Sequence, residues 1–97
     1  MTQVIWRGVQ ARIAARAGRC ADAEALARSA VTLAEPTDLL SLRGDAMLGL
    51  AEVLRLCGRP EESVHAAGAA LALYELKGNA AAAARVRPLL RDRQGGE

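Results

Sequence analysis

Apolar residues recur at spacings of three and four along almost the whole chain, and glycine or proline interrupts them at four places, which predicts five helices. The first runs from Thr2 or Gln3 to about Ala17, with Val4, Ile5, Val9, Ile13 and Ala17 on one broad face, and stops at Gly18-Arg19. The second, Cys20 to Ala34, repeats Ala23, Leu26, Ala27, Ala30, Val31 and Ala34, a face so small that its neighbour must approach closely. Glu35-Pro36-Thr37-Asp38 then breaks the pattern, and Thr37 or Asp38 is placed to cap the next helix.

The third helix, about Leu39 to Cys57, is the most informative. At 100° per residue Asp38, Ser41, Asp45, Glu52 and Arg55 fall on one stripe about 100° wide with Leu48 inside it, and the remaining circumference is largely apolar through Leu39, Leu42, Ala46, Met47, Leu50, Ala51, Val53, Leu54 and Cys57. A helix apolar over so much of its girth packs on more than one side, so it belongs in the middle. After Gly58-Arg59, Pro60 with Glu61 and Glu62 opens the fourth helix, where a missing N–H is harmless and negative charge suits the dipole. Val64, Ala67, Leu71 and Tyr74 are its core candidates, and Glu61, Glu62, His65 and Glu75 its wet side. Gly78-Asn79 ends it. The fifth, about Ala80 to Leu90, contains Pro88, expected to kink or shorten it, and the tail from Arg91 should fray.

Composition sharpens this picture. The chain has 97 residues, enough for one domain with a modest core, and 22 of them are Ala while Phe is absent, so the core must be closely approaching helices filled by Leu. Net charge is +2, too small to imply nucleic acid, and charged residues interrupt every apolar run before it reaches the 18 to 20 or so residues that span a bilayer. No basic region leads into an apolar segment at the N-terminus, so a cytoplasmic location is expected and no membrane partner. Cys20 and Cys57 are expected as two half-buried thiols in a reducing compartment, since two cysteines make no disulfide framework.

Displaced by 40 residues, the chain matches itself. Gly18-Arg19 falls on Gly58-Arg59, Ala27 on Ala67, Ala30 on Ala70 and Leu33 on Leu73, so two helix pairs of one design follow each other. These residues resemble the tetratricopeptide repeat. That pattern wants small residues about seven before the turn glycine and about five and twelve after it; here they are Ala11, Gly18, Ala23 and Ala30, then Ala51, Gly58, Ser63 and Ala70. Ala27 and Ala67 depart from it, standing where a large residue is usual, and the period is 40 where 34 is usual. The segment from Gly44-Asp45 to Gly78-Asn79 is similar to the C-terminal repeat regions of bacterial multidomain regulators of adenylate-cyclase-like or LuxR type. The resemblance implies an all-α, right-handed stack of antiparallel hairpins: residues 3–34 as repeat 1, 38–76 as repeat 2, 79–91 as a capping helix and 92–97 as a tail.

Catalytic chemistry finds no support in the residues. There is no Gly-rich phosphate loop, no metal-spaced His/Cys set, and His65 stands alone. Asp45 and Glu52 lie about 10 Å apart along a helix, a distance that carboxylate pairs use, but nothing encloses them. No enzyme, cofactor or metal is expected. The resemblance implies that leading helices line a concave side, and the polar stripe of the third helix falls there. Arg12, Asp45, Leu48, Glu52, Arg55 and Arg85 are thus the candidate contacts for a protein or peptide partner, or for other domains of a parent protein. A second function is a structural end cap or homodimer interface around Ile5 and Trp6, because the first helix is apolar on more of its surface than one neighbour covers.

Overall fold

Three of the helices, the first, third and fourth, end where the sequence supplies a glycine that takes up a left-handed backbone. The computed structural model describes residues 2–37 and 39–95, with side chains at 3–37, 39–88 and 90. It contains five helices: α1 Thr2–Arg16, α2 Cys20–Ala34, α3 Leu40–Leu56, α4 Pro60–Lys77 and α5 Ala80–Gly95. No strand occurs among the described residues, and the protein is all-α. Gly18 and Gly58 close α1 and α3 at φ of 83° and 78°, where a Cβ would be strained. Around them the hydrogen bonds repeat at the same 40-residue displacement: Arg19 N–H to Ala14 O and Arg59 N–H to Leu54 O, both 2.9 Å, with Gly18 to Ala15 O and Gly58 to Arg55 O inside them. Gly78 and Asn79 close α4 in the same way.

The turns fold each helix back on its predecessor, so residues equidistant from a turn meet. Arg7 donates to the Ser29 hydroxyl across the α1–α2 turn, and the Ser63 hydroxyl donates to the Ala51 carbonyl (2.7 Å) across the α3–α4 turn. α3 touches α1, α2 and α4, which makes it the middle of the structure as its apolar girth requires. Alanines form the seams. Ala11, Ala23, Ala30, Ala51 and Ala70 are all at most 1% exposed and Ser63 is 9% exposed, so every small position of the 40-residue pattern is buried. Tyr74, Leu54, Val53 and Val86 supply the bulk between them.

Four expectations are corrected. The buried face of α1 is Val4, Ala11, Ala14 and Ala15; Ile5, Val9, Ile13 and Ala17 are exposed. This helix is apolar on two opposite sides, and the alanine side allows the closer approach to α2 and α3. Cys20 and Cys57 are not free thiols but form a disulfide, their Cα atoms 5.8 Å apart. The helical repeat sets the α1–α2 and α3–α4 turns beside each other, and one cysteine flanks each turn. Helix α5 is not cut short at Pro88 but continues to Gly95; Ala84, whose carbonyl loses its donor, is exposed to water. The residues expected to fray are thus helical through Gly95, and Gly96 and Glu97 lie outside the described residues. Finally, Leu39 rather than Thr37 occupies the N-cap of α3. Thr37 instead accepts the Leu39 N–H and donates to the Ala34 carbonyl (2.7 Å), while Asp38 lies outside the described residues. No helix among the described residues is long and apolar enough to cross a membrane.

Candidate functional site

The first, third and fifth helices share one side of the molecule. Their side chains enclose a cavity of about 460 Å³ whose lining includes Arg12 from α1, Asp45, Leu48 and Glu52 from α3, and Arg85 from α5. Five of the six residues that the sequence assigns to a binding face therefore meet in one place. Arg55 does not: it is exposed at the C-terminal end of α3, beyond the cavity. Ile5 lines the same cavity, whereas Trp6 turns away into a separate cavity of about 660 Å³ with Ile13 and Leu26, on the α2 side of α1. The two residues expected to act as one surface face different spaces.

Backbone placement comes from glycine. Gly8 and Gly49 line the cavity, and open space surrounds the place where a Cβ of Gly8 would sit, so the floor between α1 and α3 is bare main chain. Arg12 crosses to α3 beside Gly49, where a Cβ would stand in ordinary contact at 3.8 Å from a guanidinium nitrogen. There it donates to Glu52 at 3.2 Å, both side chains remaining partly open to water.

Asp45 is held from beneath. The Tyr74 ring is fully buried between α4 and α3, and its hydroxyl donates to the Asp45 carboxylate. Burial, then this hydrogen bond to an anion, push the Tyr74 hydroxyl well above the usual phenol range, so it remains a donor. The ring fits only because residue 44 is glycine: a Cβ there would stand 2.7 Å from Tyr74 Cε1. Neither Gly44 nor the reach of Tyr74 to Asp45 was marked as part of the site by sequence reasoning. A glycine in the middle of a helix, one residue before a groove carboxylate, was the available signal. Ser41 at the end of the stripe accepts from Asn79 Nδ2 at 3.3 Å, which joins the α4–α5 turn to the same side.

The chemical character that results is mixed and balanced. Two carboxylates and two guanidiniums stand among Val4, Ile5, Val9 and Leu48, with Asp45 and Glu52 already accepting from Tyr74 and Arg12. Such a surface can exchange its internal ion pair for one with a ligand and cover apolar area beside it. Among the described residues no group of three or more His, Cys, Asp or Glu is arranged to hold a metal.

A second charged cluster lies at the turns. Arg59 donates to Glu24 and to Glu62 (2.6 and 2.9 Å), and Arg28 to Glu24 at 2.7 Å, the i,i+4 pair expected from the sequence. The Arg59 and Arg28 hydrogen bonds hold the Glu24 carboxyl down at about 2. With the disulfide, this network ties the α1–α2 turn to the α3–α4 turn. Compared with family models, with curated proteins and with solved structures, the chain matches none.

Proposed function

We propose that the protein is a non-catalytic interaction module of tetratricopeptide type, a right-handed stack of two hairpins and a capping helix, part of or derived from a larger bacterial regulatory protein. On this reading its partner is a peptide or a helix of another protein or domain, seated in the groove of Arg12, Asp45, Leu48, Glu52 and Arg85. The observation that carries the reading is the convergence of those five residues, drawn from three helices and up to 73 positions apart, on one cavity. Burial of every small position in the 40-residue pattern supports the repeat type. A cytoplasmic setting, also part of the reading, would keep the Cys20–Cys57 bond in exchange with cellular reductants.

The test is selection of a random peptide display library on the immobilised chain. Enriched peptides should lose binding to Glu52→Arg and Leu48→Glu variants and keep it to Trp6→Ala. Peptides that bind all four proteins equally would remove the groove from consideration.

A further inference from the structure

We infer that the outward side of α1 is a second docking surface, and that its occupant is a helix of a partner protein bearing acidic residues beside an apolar stripe. Trp6 and Ile13 are 56% and 59% exposed, and Val9 between them is 41% exposed. Trp6 and Ile13 fall within about 20° of each other over about 10 Å of helix, and Val9 marks the border with the groove that it and Ile5 line. The opposite side of the same helix already carries the core, through Val4, Ala11, Ala14 and Ala15. The exposed arc is therefore an additional apolar face, not a displaced core face.

The chain itself demonstrates what covers such a face. Forty residues on, Ala46 and Val53 of α3 occupy the places of Trp6 and Ile13, and they are 8% and 0% exposed. Ala46 packs in one cluster with Ala30, Val31 and Ala34 of α2, so a neighbouring helix lies across this side of α3. At the same position on α1 no further helix among the described residues lies across the face, which α2 only borders through Asp22, Ala25, Leu26 and Ser29, although its side chains are larger. A docked helix would continue the α2–α3 contact one step outward. Trp6, Ile13 and the half-buried Leu26 of α2 would receive it in the cavity they line.

Charge decides between occupants. Helix α1 contains Arg7, Arg12 and Arg16 and no acidic residue. Arg7 meets a neutral hydroxyl, Arg16 is exposed one turn past Ile13, and Arg19 borders the outer cavity, where Asp22 is the only acid in the lining. A second copy set face to face would bring these arginines together. Set head to tail, it would present the exposed side of α5, whose Arg87 is already paired with Glu75 and whose Arg85 adds a further positive charge, so it offers no free acid to these arginines. A helix with glutamates flanking its apolar stripe satisfies both the apolar and the basic parts.

The probe is a fluorescein-labelled synthetic amphipathic helix with Leu on one face and Glu on the flanks, titrated with the disulfide-bonded 97-residue chain by anisotropy, beside a version with Lys for Glu. The acidic peptide should bind saturably, shift Trp6 emission to the blue and weaken as salt rises. The Lys version should bind at least about tenfold more weakly. Ile13→Asp and Arg16→Glu should each lower affinity by about tenfold or more, and Glu52→Arg should leave it unchanged, which separates this face from the groove. Equal binding of the two peptides, or loss with Glu52→Arg in place of Ile13→Asp, would overturn the proposal. So would a chain that, without peptide, forms dimers dissolved by Ile13→Asp, since a second copy would then be the occupant.

Discussion

The hydroxyl of Tyr74, on a ring wholly buried in the core, donates to the carboxylate of Asp45 at the edge of the groove. Core and candidate site are therefore one construction, and the glycine between them decides whether it holds. In most helix interiors Gly→Ala gains about 1 kcal/mol from propensity. At Gly44 the new methyl would meet the Tyr74 ring at 2.7 Å, and overpacking costs about 1 to 3 kcal/mol. Gly44→Ala should leave stability unchanged or lower it by up to about 2 kcal/mol. Gly68→Ala, in open space on α4, should raise it by about 1 kcal/mol. Urea midpoints of the two variants, measured together, give the sign of each.

Loss of the hydroxyl alone is a separate test. Tyr74→Phe keeps the ring and removes one charge-assisted hydrogen bond, a cost of about 1.5 to 3 kcal/mol if Asp45 were buried and nearer 1 kcal/mol with water available to it. Because the folded-state hydroxyl titrates above its unfolded value, its stabilisation is complete below about pH 10 and declines as pH rises beyond it. Alkaline urea titrations should find that decline in the parent chain and a shallower one in Tyr74→Phe.

Much of this architecture was legible because it is periodic. The Gly18 and Gly58 stops, the alanine seams and the polar stripe of α3 each follow from spacing, while the expectation of Arg12, Asp45, Leu48, Glu52 and Arg85 on one side came from laying that stripe over the resembled stack of hairpins. What spacing could not resolve was α1, where apolar residues occupy two opposite arcs. Hydrophobicity alone favoured the arc with Ile5, Val9 and Ile13. Close packing chose the arc with Ala11, Ala14 and Ala15, since the small residues let backbones approach. The disulfide was missed for a different reason: the cysteines were judged by their number, although the repeat already set their two turns side by side. Tyr74 was read as core and Asp45 as surface, and a long side chain can be both.

The seams should resist enlargement. Ala30 and Ala70 are 1% and 0% exposed where neighbouring helices cross, so Ala30→Leu or Ala70→Leu should each cost about 1 to 3 kcal/mol. Ala25→Leu, at an exposed position of α2, should cost less than about 0.5 kcal/mol. Midpoints that fail to separate the seam variants from Ala25→Leu would contradict the helix register.

Acid should loosen the turns first. Hydrogen bonds from Arg59 and Arg28 lower the Glu24 carboxyl from 4.5 to about 2, and Arg59 lowers Glu62 as well. A depressed carboxyl stabilises the fold above its unfolded value, so the contribution is present at neutral pH and is lost as pH falls from about 4.5 towards 2. The cluster is at the surface, and screening limits the Glu24 share to about 1 kcal/mol. Arg59→Ala should lower stability at pH 7 and much less at pH 2, with the difference shrinking in high salt.

Reduction should be felt more than any of these. The Cys20–Cys57 bond closes a loop of 37 positions, and constraining the unfolded chain to that extent is worth about 4 kcal/mol in the entropic account. For a domain whose seams are mostly alanine, that is a large share of a total stability of about 5 to 15 kcal/mol. Urea midpoints with and without a phosphine reductant should differ by about 1 to 4 M, and alkylation run first should find no reactive thiol before reduction and two after it. The Arg59–Glu24 and Arg12–Glu52 pairs join the same hairpins without the bond, so the reduced chain should stay helical at neutral pH with a lower midpoint. A reduced chain that unfolds outright would mean that alanine packing and these ion pairs cannot hold the two hairpins together, and that the groove exists only where the disulfide can form.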